Sequence, residues 1–175
     1  MKRIFRLTPL FSVITLLALN FYMNLTFDTY KPQYAEAFKQ LNLHWLQRFF
    51  TVEPHDNDVL SDPETHIIKP GGETLIALLE NKVVGVVALM PDENEEYELT
   101  KMAVDVELRG QKIGQQLLAH SLDFARNKGL KTLILYSSRK LENAIHLYRK
   151  YGFIEEPLQQ PNPYRRADIK MRIQL

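Results

Sequence analysis

Between Glu98 and Gly114 the sequence ELTKMAVDVELRGQKIG runs an alternating stretch into a polar turn with two glycines, where an amphipathic helix begins. Several backbone N–H groups at such a junction have no intrahelical partner, and the helix dipole adds partial positive charge, so the turn suits a phosphate. Arg109 and Lys112 add fixed charge beside the N–H groups of Gly110, Gln111, Ile113 and Gly114. The glycines lack the Gly-Lys-Ser/Thr that completes an ATP-binding loop, and they do not match the dinucleotide fingerprint. On the strand itself, strict alternation puts Glu98 on one face with Thr100, Met102 and Val104. A carboxylate there can take a proton from an ammonium group; the plain alternative is a solvated strand acid, with Glu93, Glu95 and Glu96 close by. A second acidic group, Glu53, His55, Asp56 and Asp58 in EPHDND, can attract a cation, although a solvated loop is the commoner reason for such a run. No second histidine stands at ligand spacing from His55, so no metal is expected.

The elements that must carry these groups follow from periodicity. Leu25 to Tyr30 alternates as a strand, and Pro32 opens a helix with Ala35, Phe38, Leu41 and Trp45 at helical spacing through Phe50. Thr51 to Pro70, with three prolines and five acids, reads as a loop with one helical turn. Strands are expected at Thr74–Leu79 and Val83–Met90 about a turn at Glu80-Asn81-Lys82, and again over Glu95 to Val104. Gly110 to Lys128 carries Ile113, Leu117, Leu118, Leu122 and Ala125 on one helical face, and Gly129 ends it. Lys131–Tyr136 is a buried strand, Leu141–Tyr151 a helix, Gly152–Ile154 the start of a strand, and Ala167–Leu175 the last strand. This order describes a mixed α/β domain with one central sheet.

The chain has 175 residues, enough for one domain with a core, and its 45% hydrophobic and 25% charged content is that of a globular protein. It contains no cysteine, which excludes disulfides, thiolate metal sites and a cysteine nucleophile. Lys2, Arg3 and Arg6 stand apart at the start, leaving 19 of the 22 basic residues against 21 acids, a balance that gives no reason to expect nucleic acid as a partner. Residues 1–22 differ from the rest: a basic start, then the apolar run Leu7 to Tyr22, interrupted by Pro9, Ser12, Thr15 and Asn20. They are expected to be an extension that the domain at 23–175 does not need; a membrane anchor through residues 7–22 is the second reading, and a signal-like leader the third.

Arg109-Gly110-Gln111-Lys112-Ile113-Gly114 resembles the pyrophosphate motif Arg/Gln-x-x-Gly-x-Gly/Ala of the GNAT N-acetyltransferases. Ala144-Ile145-His146-Leu147-Tyr148-Arg149-Lys150-Tyr151-Gly152-Phe153 resembles the Ala-Ile-x-Leu-Tyr-x-x-x-Gly-Phe element of the same family. The two lie in the family's order, and the likeness runs from about Leu25 to the C-terminus. It implies a twisted mixed sheet of six or seven strands with helices on both faces, and acetyl-CoA as cosubstrate without a metal. The pantetheine arm would lie along the backbone of Met102, Ala103 and Val104, and the N–H groups of Arg109 to Gly114 would hold the pyrophosphate. Tyr148 stands where relatives keep the acid that protonates the CoA thiolate, a reasonable task for a phenol, and Glu98 would be the base. Glu53, His55 and Asp56, with Arg165, Arg166 and Asp168, would border the site of the amine acceptor. Use of acetyl-CoA implies a cytoplasmic domain, free or anchored at the inner membrane, and a homodimer is common in the family. The rival is a non-catalytic acyl-CoA-binding module held at a membrane. Three positions depart from the family pattern. Lys112 replaces the first motif glycine and is expected to serve with negative φ. Val106 replaces a proline. Leu141 stands where many relatives have asparagine, with Asn143 expected on another side of the helix.

Overall fold

The computed structural model describes residues 25–92 and 96–175, so the expectations for residues 1–22 and for Glu93 and Glu95 lie outside the described residues. Seven strands form one sheet: β1 (Leu25–Thr29), β2 (Glu73–Leu79), β3 (Lys82–Pro91), β4 (Tyr97–Val104), β5 (Thr132–Ser137), β6 (Ile154–Glu156) and β7 (Ile169–Gln174). Their order is β1-β2-β3-β4-β5-β7-β6, with every pair antiparallel except β4 and β5. The β2–β3 connection is a two-residue turn, Glu80-Asn81, with φ of 49° and 66°. Two successive left-handed residues match the twist of the strands they join.

Helices cover both faces. α1 (Ala35–Phe49) and α2 (Pro54–Ser61) lie on one, where Phe38, Leu46 and Leu60 pack with Ile76, Val86 and Ala103 of the sheet. α3 (Ile113–Asn127) and α4 (Glu142–Lys150) belong to the other, where Leu117, Leu118 and Ile145 pack with Leu75, Leu99 and Leu135. The first turns of α3 come close to β3 because residue 85 is glycine: a Cβ there would stand 3.3 Å from Leu117 and 3.5 Å from Ile113.

Two elements differ from expectation. Thr51–Pro70 holds the eight-residue helix α2 and a wider helical turn at Glu64–Ile68. Pro54 is the first helical residue, where its missing N–H costs nothing, and Glu53 and Asp56 form a reciprocal capping box. Val59, Leu60 and Ile67 then supply a buried face. α3 starts at Ile113 rather than Gly110, because Gly110 (φ 79°) and Lys112 (φ 60°) are left-handed. Among the described residues, no helix is long and apolar enough to cross a membrane.

Candidate active site

The sheet opens at its one parallel pair. β4 and β5 are in register only at Tyr97–Leu133 and Glu98–Ile134. Beyond Glu98 they part, leaving β4 without a β5 neighbour, around a cleft of about 610 Å³. Leu99 to Val104 form one wall, the end of β5 and the first turn of α4 another, and the C-terminal half of α1 and Tyr164 with Arg166 close the side.

β4 does not alternate throughout. Lys101 has φ 51°, and the register with β3 shifts between Val86 and Ala88, so β4 bulges at Lys101. Glu98 and Thr100 therefore face the α1–α2 side, whereas Met102 and Val104 pack with the α3 core. The expected common face of Glu98, Thr100, Met102 and Val104 is corrected: the left-handed residue reverses the pleat, which is what a bulge does. Lys101 also turns its side chain, only 3% exposed, onto α2, where its ammonium donates to Asp56 Oδ1 at 2.9 Å.

Asp56 is the centre of a buried ionic group. Arg166 donates to its two oxygens at 2.7 and 3.0 Å and to Glu53 Oε1 at 3.1 Å. The Glu53 N–H donates to Asp56 Oδ2 at 3.2 Å. Burial alone raises the Asp56 carboxyl, but Arg166 and Lys101 outweigh it and hold the group below the usual carboxylate range. Both carboxylates, expected to attract an amine, are engaged by the protein's own cations. His55 is exposed, with its ring 6.1 Å from that of Tyr164. Arg165 is exposed and reaches Glu53 through its backbone N–H. Asp168 turns to the loop before α4, accepting from the Arg139 N–H at 2.7 Å.

The Tyr164 hydroxyl donates to Glu98 at 2.9 Å and lies 3.3 Å from the Thr100 hydroxyl. Burial raises the Glu98 carboxyl, against the hydrogen bonds of Thr100 and Tyr164 and the charge of Lys101. Burial pushes the Tyr164 phenol up strongly, and the Glu98 charge adds to it. Thr100 and Tyr164 line the cleft and so link Glu98 to it. Tyr164 and Lys101 are the residues that sequence reasoning missed. The bond from Tyr164 to Glu98 spans 66 positions, and its one local signal is an aromatic residue in a proline-rich polar loop.

Tyr148 lines the opposite wall with its ring edge-on to Phe153 at 5.7 Å, and burial pushes its phenol up to about 12. Leu141 and Asn143 both line the cleft. In the turn before α3, Arg109 and Gly110 reach the cleft. No side chain caps the helix start and no acid stands in its first turn, which leaves its N–H groups for an anion. A Cβ on Gly114 would meet Val104 at 3.6 Å and Met102 at 3.8 Å, so the helix start rests against the end of β4.

Lys112, expected with negative φ, has φ 60° and ψ 14°, the conformation glycine favours. A side chain there costs roughly 1–2 kcal/mol, offset in part by the greater freedom of an unfolded glycine. Lys112→Gly is therefore expected to raise the melting temperature by about 2 °C. A lower value in a thermal melt would mean that the lysine side chain holds the turn.

Residues 36–153 match the sequence profile of the acetyltransferase (GNAT) family. The chain belongs to that family. Among GNAT relatives it is 36% identical over 103 residues to an IAA acetyltransferase of Azospirillum brasilense, covering 58% of this chain and 67% of that one. The chain spans 35% to 67% of the length of three curated relatives that it matches. A GNAT acetyltransferase structure from Staphylococcus aureus superimposes with a TM-score of 0.76 at 20% identity, over 86% of this chain and 98% of the other. The PaiA N-acetyltransferase of Thermoplasma acidophilum, solved in complex with coenzyme A, gives 0.70 at 18% identity, over 87% and 100%. At these identities the structural likeness concerns the GNAT fold: a mixed seven-stranded sheet with helices on both faces.

Proposed function

We propose that the protein moves an acetyl group from acetyl-CoA to a primary amine by direct attack within a ternary complex. The parting of β4 from β5 carries this reading. It leaves backbone groups of Met102, Ala103 and Val104 without a β5 partner beside a cleft that ends at the uncapped start of α3. An extended amide chain with a pyrophosphate at one end fits that combination of free backbone and N–H-rich helix terminus. The N–H groups of Arg109 to Gly114 would hold the pyrophosphate, with Arg109 adding charge.

In the reaction the amine nitrogen bonds to the thioester carbon and the C–S bond breaks. A β4 N–H beside the bulge stabilises the oxyanion. The proton lost by nitrogen passes through the Thr100 and Tyr164 hydroxyls to Glu98, and Tyr148 gives its proton to the departing thiolate. Such a domain works where acetyl-CoA is plentiful, in the cytoplasm.

Calorimetric titration with acetyl-CoA and CoA tests the site. Micromolar binding is expected, weakened at least tenfold in Gly114→Trp, whose side chain must displace Met102 and Val104 from the helix start. No binding by the folded protein would overturn the cosubstrate assignment. Binding without thiol release in the presence of amines would overturn the transferase reading.

A further inference from the structure

The polar side chains around the acceptor end of the cleft are unequally spent. Asp56 is fully buried, and its oxygens already accept from Lys101, Arg166 and the Glu53 N–H. An incoming ammonium finds no vacant carboxylate there. The cations are in the opposite condition. Arg166 has five N–H groups; its two terminal nitrogens bond Asp56, and Nη1 also bonds Glu53. Its side edge, Nε–H with the second Nη2–H, has no partner among the described residues. Two parallel donors on one edge of a planar guanidinium match the spacing of a carboxylate. Lys101 gives one of its three hydrogens to Asp56 and lines the same cleft. Both cations rest against the Tyr164 ring, at 4.8 and 4.9 Å from its centroid, which fixes them in place. Asp56 thus acts as a tether that orients two cations toward the cleft.

Another part of the cleft is aromatic, and there the Arg109 guanidinium lies 5.8 Å from the Phe49 ring centroid. Trp45, Phe49 and Phe50 line the cleft from the end of α1, with centroids 5.7 to 6.4 Å apart. Phe49 remains 38% exposed.

Accepting the acetyltransferase reading, we infer that the acceptor is a free α-amino acid, its carboxylate on the side edge of Arg166 with Lys101 beside it. A polyamine or a lysine-rich peptide has nothing to offer these two cations. The amino group of the amino acid is left facing Thr100 and Tyr164.

Thiol release from acetyl-CoA, measured with a matched set of amines, tests this. L-Phenylalanine and L-leucine are compared with L-phenylalaninamide, phenethylamine and spermidine. The amino acids are expected to exceed the amide in kcat/KM by about a hundredfold or more, because losing the carboxylate leaves buried donors unpaired. Arg166→Lys keeps the charge that Asp56 needs but loses the fork. It should raise KM for phenylalanine about tenfold, narrow the gap to the amide, and leave acetyl-CoA binding unchanged. Equal or better use of the amide, phenethylamine or spermidine by the wild-type protein overturns the inference while acetyl transfer stands. Thiol release with none of the five overturns both.

Discussion

Tyr148→Phe is expected to lower kcat by roughly a hundredfold or more, while acetyl-CoA binds within about twofold of its wild-type strength. The substitution removes one oxygen and keeps the ring, so the packing against Phe153 is preserved. Among the described residues the hydroxyl has no hydrogen-bond partner, so its loss strands no buried donor or acceptor, and the fold should be unaffected. Burial pushes the phenol up to about 12, and the group therefore stays protonated through neutral and mildly alkaline pH. It can give its proton only to a base formed during the reaction, and a departing thiolate is one. The pH profile of the wild-type enzyme should accordingly rise through the Glu98 titration, which burial moves above the usual carboxylate range, and show no alkaline fall from Tyr148 below about pH 11. An unchanged kcat in Tyr148→Phe would mean that the thiolate leaves without help from this wall of the cleft.

Much of the fold was legible because it rests on local patterns. The alternation in β2 and β3, the one-faced leucines of α3 and its glycine stop all act within a few residues. The two family motifs located the turn before α3 and Tyr148. The misreadings arose where a distant partner decides the local conformation. Lys101 has strand neighbours and no glycine near it, yet it is left-handed, and its ammonium is taken by an aspartate 45 positions earlier. EPHDND looks like a solvated acidic loop until Arg166, 110 positions later, occupies it. The signal for α2 was present in Glu-Pro-x-Asp, a proline at the first helical position inside a capping pair. The count of prolines and acids obscured it.

Asp56→Ala should have the largest effect on stability, about 3–5 kcal/mol, since it leaves Lys101 buried without its counter-charge. For a domain of this size the melting temperature should fall by about 10 °C. The pH dependence follows from the same bonds. Asp56 in the folded protein titrates below its unfolded value, so its contribution is complete above about pH 4 and is lost as pH falls through the folded value. Asp56→Ala should flatten that acid limb. A melting temperature within 2 °C of wild type would show that the buried group stabilises nothing. The double substitution Asp56→Leu with Lys101→Met separates stability from positioning, because paired apolar residues often replace a buried ion pair without loss. It should recover most of the melting temperature. Yet Lys101 combines a left-handed backbone with an ammonium tied to α2, and the bulge it makes sets Met102 and Val104 on their face. Relaxation toward regular alternation would turn that part of β4 over. The double variant should therefore remain weak in acetyl-CoA binding despite its restored stability, which would identify the Asp56–Lys101 pair as the device that shapes the cleft wall.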